Sequence, residues 1–196
     1  INAANTIVNE YTSLTANAAA TSTSITVANS TLNANGRFTA GLAPGDLIMI
    51  IQIQGVTING TLNVTLAIPN DTTWGKIINY GNCGRYEFAE VLSVPNGTTI
   101  NLDCGLTYSY STGGTSRTLI VRVPRWTTLT LNSPGVLTCD TWNGTLGGVL
   151  AVEVLGNTII NAGASIDATG KGFRGGSTAG DNLSTYGVNN VGCTDP

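Results

Sequence analysis

Residues Trp142–Gly176 read WNGTLGGVLAVEVLGNTIINAGASIDATGKGFRGG, and this segment decides the fold class. Short runs of β-forming residues, Val149–Leu155, Thr158–Ile160 and Ala164–Ile166, alternate there with turns built from glycine or asparagine. Strands of this length with such boundaries are typical of a chain that winds as stacked short strands with tight corners. The segment therefore predicts all-β structure.

Two earlier runs support a repeating coil. Trp126–Leu131 and Gly135–Cys139 resemble Val149–Leu155 and Thr158–Ile160 at a displacement of about 22 residues. Such a displacement corresponds to one coil of a parallel β-helix, in which each coil buries inward-facing aliphatic side chains against the last. Because two coils are too few to stand alone, we expect them to lean on the first half of the chain or to continue past residue 196.

The first half predicts a small antiparallel β-barrel or sandwich. Its clearest pattern is the β-hairpin formed by Tyr86–Val94 and Thr98–Leu102 around the turn Pro95-Asn96-Gly97. After the turn at Pro44-Gly45-Asp46, the end of Phe38–Gln54 is apolar enough to be a strand buried on both faces. Further strands are predicted at Ser24–Ala28 and Arg117–Val123.

The expected organisation has three parts. Residues 1–20 form an extended N-terminal segment, residues 21–123 the antiparallel barrel or sandwich, and residues 124–196 a short parallel β-helix-like segment with an irregular tail. The chain of 196 residues is long enough to bury a substantial core in this arrangement. The predicted fold class is all-β throughout.

The composition indicates an extracellular protein. Only 10% of the residues are charged, against about a quarter in an average domain, so Thr, Ser, Asn and Gly must build the surface. The net charge of −3 and the scattered Lys and Arg exclude a nucleic-acid partner, because nothing would neutralise a run of phosphates. The longest apolar run, Leu47–Ile51, is too short to span a membrane as a helix. The start at Ile1 is typical of a processed mature end.

The four cysteines are expected to form two disulfides, because they are even in number and lack the spacing of a metal site. Four cysteines allow three pairings, and four buried thiols are the alternative. We favour Cys83–Cys104 and Cys139–Cys193, since each pair would then link positions within one half of the chain.

Catalysis is not expected. The chain has no histidine, which removes the common general base and the common metal ligand together, and neither a metal nor a cofactor is predicted. Paired carboxylates remain the one plausible catalytic device. Glu87 and Glu90 are three positions apart on a strand and should face opposite sides. Asp140, Glu153 and Asp167 could lie on successive coils, although isolated surface carboxylates are the simpler interpretation.

Aromatic residues could contact a glycan. Trp74 and Trp142 are the candidates, although a tryptophan in a chain with only 6% aromatic residues is more often a core anchor. The glycine-rich run Gly170–Gly176 lacks a phosphate-loop pattern and predicts a tight corner instead. Candidate glycosylation sites are Thr72, in a short O-glycosylation pattern, and the sequon residues Asn29, Asn59, Asn63, Asn70, Asn96, Asn143 and Asn182.

Several segments resemble the N-terminal region of large secreted surface adhesins and gliding-motility proteins of Bacteroidota, which have relatives in myxobacteria. The segments that carry the resemblance are Gly45–Gly55, Tyr86–Val91, Val121–Leu129, Trp142–Val149 and Gly170–Gly176. The resemblance implies a repetitive, exported protein of the cell surface, without a catalytic motif to transfer.

The sequence thus predicts a non-catalytic, secreted structural and adhesive module of the cell surface. Its expected partners are other surface or filament subunits, with polysaccharide and self-association also considered. One alternative is a filament subunit in which residues 1–20 donate a strand to a neighbouring copy. The other is a carbohydrate-active β-helix enzyme that acts on polysaccharide through Asp140 or Asp167.

Overall fold

The computed structural model describes residues 1–59 and 76–173, and it consists of strands and turns, without a helix, within these ranges. The strands in chain order are β1 Thr6–Ile7, β2 Glu10–Ser13, β3 Ser24–Thr26, β4 Leu47–Gln54, β5 Thr57–Ile58, β6 Ile77–Asn79, β7 Tyr86–Asn96, β8 Thr99–Leu102, β9 Arg117–Val123, β10 Arg125–Trp126, β11 Leu129–Leu131, β12 Val136–Thr138, β13 Glu153–Val154, β14 Thr158–Ile160 and β15 Ser165–Ile166.

Six strands form a curled antiparallel sheet in the order β2-β9-β4-β7-β8-β3. The two edge strands approach each other, because an antiparallel bridge joins Leu14, just after β2, to Val27, just after β3. Two main-chain hydrogen bonds flank this bridge, from the Thr15 amide to the Thr26 carbonyl at 2.9 Å and from the Ala28 amide to the Ser13 carbonyl at 3.0 Å. The sheet therefore curls into a small barrel, as the sequence predicts.

Strand β4 and the β7–β8 hairpin confirm the local patterns. β4 lies between β7 and β9, and all but one of its eight residues are buried, so it is covered on both faces. β7 and β8 form the predicted hairpin, with irregular register between Val91 and Ser93 and between Ser93 and Asn96. Alternate residues of the sheet point inward, and a cluster that includes Ile48, Ile50, Ile100, Tyr110 and Ile120 fills the barrel.

After β9 the chain winds through two coils of parallel strands. The first coil contains β10, β11 and β12, and they pair in parallel with β13, β14 and β15 of the second. Arg125 pairs with Glu153, 28 residues later, and Leu129 pairs with Thr158, 29 residues later. The parallel β-helix-like segment is therefore confirmed, but its repeat is longer than the predicted displacement of about 22 residues.

The longer repeat has a physical cause in the connection between β12 and β13. Residues 142–149 leave the coil there and pack their apolar side chains against the outer face of β4 and β9. Gly147 and Gly148 permit this excursion with φ values of 94° and 76°, a region that other residues rarely adopt. The matching apolar runs in the sequence do not include this excursion, so the repeat length that they suggest is several residues too short.

The N-terminal segment belongs to both parts of the fold. β1 pairs in parallel with β12 of the first coil, and β2 pairs with β9 of the barrel. The ammonium group of Ile1 donates to the Thr130 carbonyl at 2.7 Å, while Ile1 and Val8 pack against the buried leucines of the first coil. Residues 1–8 therefore cover one end of the coils.

Buried contacts fix the barrel against the coils. The excursion and Phe173 cover an apolar cluster on the barrel surface that includes Met49 and Val121. Asn9 is fully buried between the two parts, where its side-chain amide donates to the carbonyls of Arg122 at 3.0 Å and Ala151 at 2.6 Å. Its Oδ1 accepts from the Ala151 amide at 3.1 Å. Because all polar atoms of this buried side chain are bonded, Asn9 sets a specific docking geometry.

Candidate functional site

A cavity of about 330 Å³ lies where the chain passes from the barrel to the coils. We call it the junction groove, and its lining includes Arg37, Phe38, Asp46, Arg125 and Trp126. Pro124, which also lines it, separates β9 from β10 and so brings Arg125 and Trp126 to its rim. Arg37 and Phe38 come from the long loop between β3 and β4.

Arg122, at the end of β9, fixes the position of Phe38, one of the two aromatic residues that line the groove. The buried guanidinium of Arg122 lies 3.9 Å from the centroid of the Phe38 ring, within the range of a cation–π contact. It also donates to the Asp46 carboxylate at 2.7 Å and to the Ala40 carbonyl at 2.8 Å. These contacts give Phe38 and Asp46 fixed positions before any ligand arrives.

The arginines at the rim are also paired with carboxylates. Arg37 makes a bidentate pair with Asp140, at 2.6 Å and 2.9 Å. Arg125 donates to Glu153 and, at 3.0 Å, to Glu90. The hydrogen bond with Glu153, followed by that with Glu90, raises the pKa of Arg125 above its ordinary value. The groove thus combines two half-exposed aromatic rings with fixed donors and acceptors of both charges.

This arrangement suits a ligand that is both flat-faced and rich in hydroxyl groups. Phe38 and Trp126 contribute aromatic surface to the lining, although Phe38 also stacks on Arg122 and Trp126 also packs against the buried leucines of the first coil. Asp46, Arg37 and Arg125 contribute charged groups that are each already in an ion pair. The sequence marks neither ring as a site residue, because the two are far apart in the chain and come together only in the folded structure. For Trp126 the sequence does offer one local indication, since it lies two residues after Pro124, at the point where β9 ends.

Trp142, a predicted glycan contact, is buried in this structure. Its side chain is 4% exposed and packs edge-on against Phe173, with 5.0 Å between the ring centroids. Both rings belong to the cluster between barrel and coils, which corrects the surface placement in favour of the core-anchor interpretation. Trp74, the other predicted contact, lies outside the described residues.

Of the carboxylates considered for catalysis, only Glu90 and Glu153 share a partner in the described part of the chain, namely Arg125 between them. Asp140 pairs with Arg37, and Glu153 pairs with Arg125. Asp167 is exposed, and hydrogen bonds from Thr169 lower its pKa. Glu87 accepts from the amides of Thr107 at 2.8 Å and Tyr108 at 3.1 Å, whereas its neighbour Glu90 faces Arg125.

No disulfide joins the described cysteines Cys83 and Cys104, so the predicted bond between them is absent. The Cys83 sulfur donates to the Ile53 carbonyl at 3.3 Å, and that of Cys104, exposed on the surface, lies 3.8 Å from the Asp103 carboxylate. The two cysteines follow different strands and make separate local contacts. Cys139 is buried, and burial is the main cause that raises its pKa. Its predicted partner, Cys193, lies outside the described residues.

Three predicted sequons adopt tight turns at the surface. Asn29, Asn96 and Asn143 are exposed, and each side-chain oxygen accepts from the amide two positions later, at 2.9 Å in all three. This turn accounts for the Asn-x-Thr spacing without a glycan, so glycosylation there stays a prediction. Asn59 is half-buried. Asn63, Asn70, Thr72 and Asn182 lie outside the described residues.

Comparisons with known proteins give distant structural neighbours. No family model and no curated protein matches the sequence. The tailspike Gp54 of Acinetobacter baumannii bacteriophage AP22, solved with A. baumannii capsular saccharide, is 18% identical at a TM-score of 0.35 and covers 81% of this chain and 23% of its own. The tailspike gp49 of Pseudomonas phage LKA1 is 15% identical at a TM-score of 0.33, covering 81% and 21%.

The chain spans about a fifth of the length of these tailspikes. At such scores the likeness carries no functional inference for this chain. Within the described ranges, no helix has the length and apolar character needed to cross a membrane.

Proposed function

We propose that this chain is a non-catalytic, extracellular adhesive module that binds polysaccharide in the junction groove. The observation that carries the proposal is that two half-buried aromatic residues, Phe38 and Trp126, line one cavity of about 330 Å³ together with charged donors and acceptors. Sugars present apolar ring faces edged by hydroxyl groups, which such a wall matches. The sparse charge of the surface supports an extracellular setting.

The adhesin resemblance gives this activity a biological setting. We infer that the chain serves as part of a secreted surface adhesin, attaching a cell to polysaccharide. Two of the resembling segments overlap the groove, because Gly45–Gly55 contains Asp46 and Val121–Leu129 contains Arg125 and Trp126. An overlap of this kind is expected if the shared segments maintain a common binding surface.

The enzyme alternative has less support. A glycoside hydrolase of the usual kind needs one carboxyl group protonated at working pH as its general acid. Asp167 is unsuited to that role, because its hydrogen bonds from Thr169 lower its pKa. Asp140, the other candidate, makes two hydrogen bonds with Arg37.

The strand-donating filament also has less support. β1 and β2, within the segment considered for donation, pair with β12 and β9 of the same chain. Donation to a neighbouring copy would first require both pairings to break.

The test is binding of the purified chain to immobilised dextran, laminarin, galactomannan, alginate and polygalacturonate. We expect at least one polymer to bind and Trp126→Ala to weaken that binding at least tenfold, about 1.4 kcal/mol. Tyr80→Ala is the matched control, because Tyr80 is an exposed aromatic residue whose turn meets the opposite end of β4. Failure of all five polymers to bind, or equal losses in both variants, would overturn the proposal. Release of soluble sugar would overturn its non-catalytic part.

A further inference from the structure

Two further cavities lie beside the junction groove along β7. One of about 290 Å³ is lined by Pro44, Gly45, Glu90, Val91, Leu92 and Asp103. The other, of about 230 Å³, lies between residues 87–90 and residues 103–107. Because both are lined by Glu90 and Asp103, the two cavities adjoin each other.

Arg125 connects this pair of cavities to the junction groove. It lines the groove itself, and its Nη1 donates to the Gly45 carbonyl at 3.2 Å and to Glu90 at 3.0 Å. Gly45 and Glu90 both line the cavity of about 290 Å³. Asp46, the residue after Gly45, lines the junction groove. The three cavities therefore follow one another around the side chain of Arg125.

The main chain of β7 offers hydrogen bonds to the last cavity. β7 pairs with β4 over Tyr86–Glu90, whereas its pairing with β8 begins only at Val91. The Arg85 carbonyl accepts from the Gln52 amide of β4, and the Val91 amide and carbonyl bond to Asp46 and Gly45 just before β4. Since orientation alternates along a strand, the amide and carbonyl of Phe88 point the other way, towards residues 103–107. The Glu90 carbonyl on that side already accepts from the Asp103 amide at 3.0 Å.

Each of the three cavities also has a large apolar side chain on its lining. These are Trp126 in the junction groove, Leu92 in the middle cavity and Phe88 in the last. Leu92 is 55% exposed and Phe88 is 51% exposed. The two are four residues apart on β7, about 13 Å along the strand, so one sugar ring cannot contact both.

The size and charge of the cavities define the ligand. Each cavity is close to or below about 300 Å³, the lower limit for a site that encloses one small molecule. An extended chain that uses all three is the better match. The arginines at the groove are paired with Asp140, Asp46, Glu90 and Glu153. An anionic sugar would therefore have to displace a carboxylate, whereas an uncharged one would not.

From these observations we propose that the three cavities are successive subsites for one extended, uncharged polysaccharide chain. This proposal rests on the proposed function, and it adds the ligand's length and charge. The junction groove holds one part of the chain between its aromatic walls. The rest of the chain follows β7, in contact with Leu92 and Phe88 and with the main-chain groups of Phe88.

The first measurement compares ligand length and charge by isothermal titration. Disaccharides and octasaccharides of dextran, laminarin and galactomannan are the neutral probes, and those of alginate and polygalacturonate are the acidic ones. We expect a neutral octasaccharide to bind at least tenfold more tightly than its disaccharide and than either acidic octasaccharide. Equal affinity for the two lengths would overturn the extended site, and tighter binding of an acidic octasaccharide would overturn the uncharged ligand.

The second measurement locates the added subsites. Phe88→Ala and Leu92→Ala should each lower the octasaccharide-to-disaccharide affinity ratio at least fivefold. Leu155→Ala, a change at an exposed apolar residue of the second coil, is the control. An unchanged ratio in both β7 variants would overturn this proposal, while tight disaccharide binding that depends on Trp126 would still support the proposed function. Absence of binding by every probe would overturn both.

Discussion

The barrel and the coils bury their apolar side chains in different ways. The barrel encloses its own core, where Ile48, Ile50 and Ile120 are fully buried. In the coils, Leu131 and Leu137 of the first turn are equally buried, but Ile160 and Ile166, their partners in the second, are 49% and 45% exposed. The barrel therefore buries its core with its own sheet, whereas the coils bury apolar side chains only where the N-terminal segment and the barrel pack against them.

Trp142→Ala should have the largest effect, because it empties the cluster that holds the coils on the barrel. We expect a loss of about 3–5 kcal/mol in the free energy of unfolding, measured by urea denaturation followed by circular dichroism. Trp126→Ala serves as the control, since that ring is only half-buried and should cost far less. Similar losses in the two variants would contradict the assignment of Trp142 as the anchor.

Two isoleucine substitutions compare the regions directly. Ile120→Ala, in the barrel, should lower the free energy of unfolding by about 3 kcal/mol, and Ile160→Ala, in the second coil, by about 1 kcal/mol. The side chain removed is the same, so the difference measures burial. Equal losses in urea denaturation would show that the second coil is covered as well as the barrel core.

Asn9→Ala tests the polar connection between the regions. It would leave the Ala151 amide and two carbonyl groups without their side-chain partners in a buried place. We expect a loss of about 2 kcal/mol in the free energy of unfolding. Asn157→Ala, at an exposed residue of the second coil, should change it by less than about 0.5 kcal/mol. A neutral Asn9→Ala would mean that the apolar contacts alone fix the interface.

The smallest expected effect concerns Tyr11 and is a loss of stability at alkaline pH. Burial, and then the neighbouring Cys139 and Asp140, raise the pKa of Tyr11 above its ordinary value of about 10. Below about pH 10 the phenol is protonated in both folded and unfolded chains, so its contribution is fully present. At higher pH the unfolded chain releases the proton first, and the free energy of unfolding falls.

Tyr11→Phe should therefore flatten this decline, by at most about 1.4 kcal/mol per pH unit. At neutral pH it should cost about 1 kcal/mol, because the hydroxyl donates to the Val149 carbonyl at 2.7 Å. Urea denaturation between pH 7 and 11 measures both effects, with Tyr80→Phe as the exposed control. An unchanged alkaline slope in Tyr11→Phe would contradict the prediction.

Local patterns predicted much of the fold because the determining residues are close in the sequence. The turn Pro95-Asn96-Gly97 between two β-forming runs specifies the β7–β8 hairpin, and the apolar run in β4 specifies burial on both faces. The length of the coil repeat was less accessible. It depends on where residues 142–149 pack, and that is a property of the barrel surface rather than of the repeat itself.

The candidate site was harder to predict for the same reason. Phe38 and Trp126 line one cavity because the loop before β4 packs against the end of β9, where Arg122 contacts both Phe38 and Asp46 of that loop. Conversely, Trp142 combines an aromatic ring with a glycine-rich turn, a pattern that also suits an exposed binding loop. Only the cluster with Phe173 distinguishes a buried anchor from a surface contact.

The parallel pairing of β1, β12 and β15 has a mechanical consequence. β1 and β15 lie on either side of β12, and all three strands run in the same direction. A pull towards the N-terminus from before β1, and one towards the C-terminus from after β15, act along the strands in opposite directions. The hydrogen bonds to β12 are then loaded together in shear instead of opening one after another. In the adhesive role proposed for this chain, this geometry would resist tension along the strands.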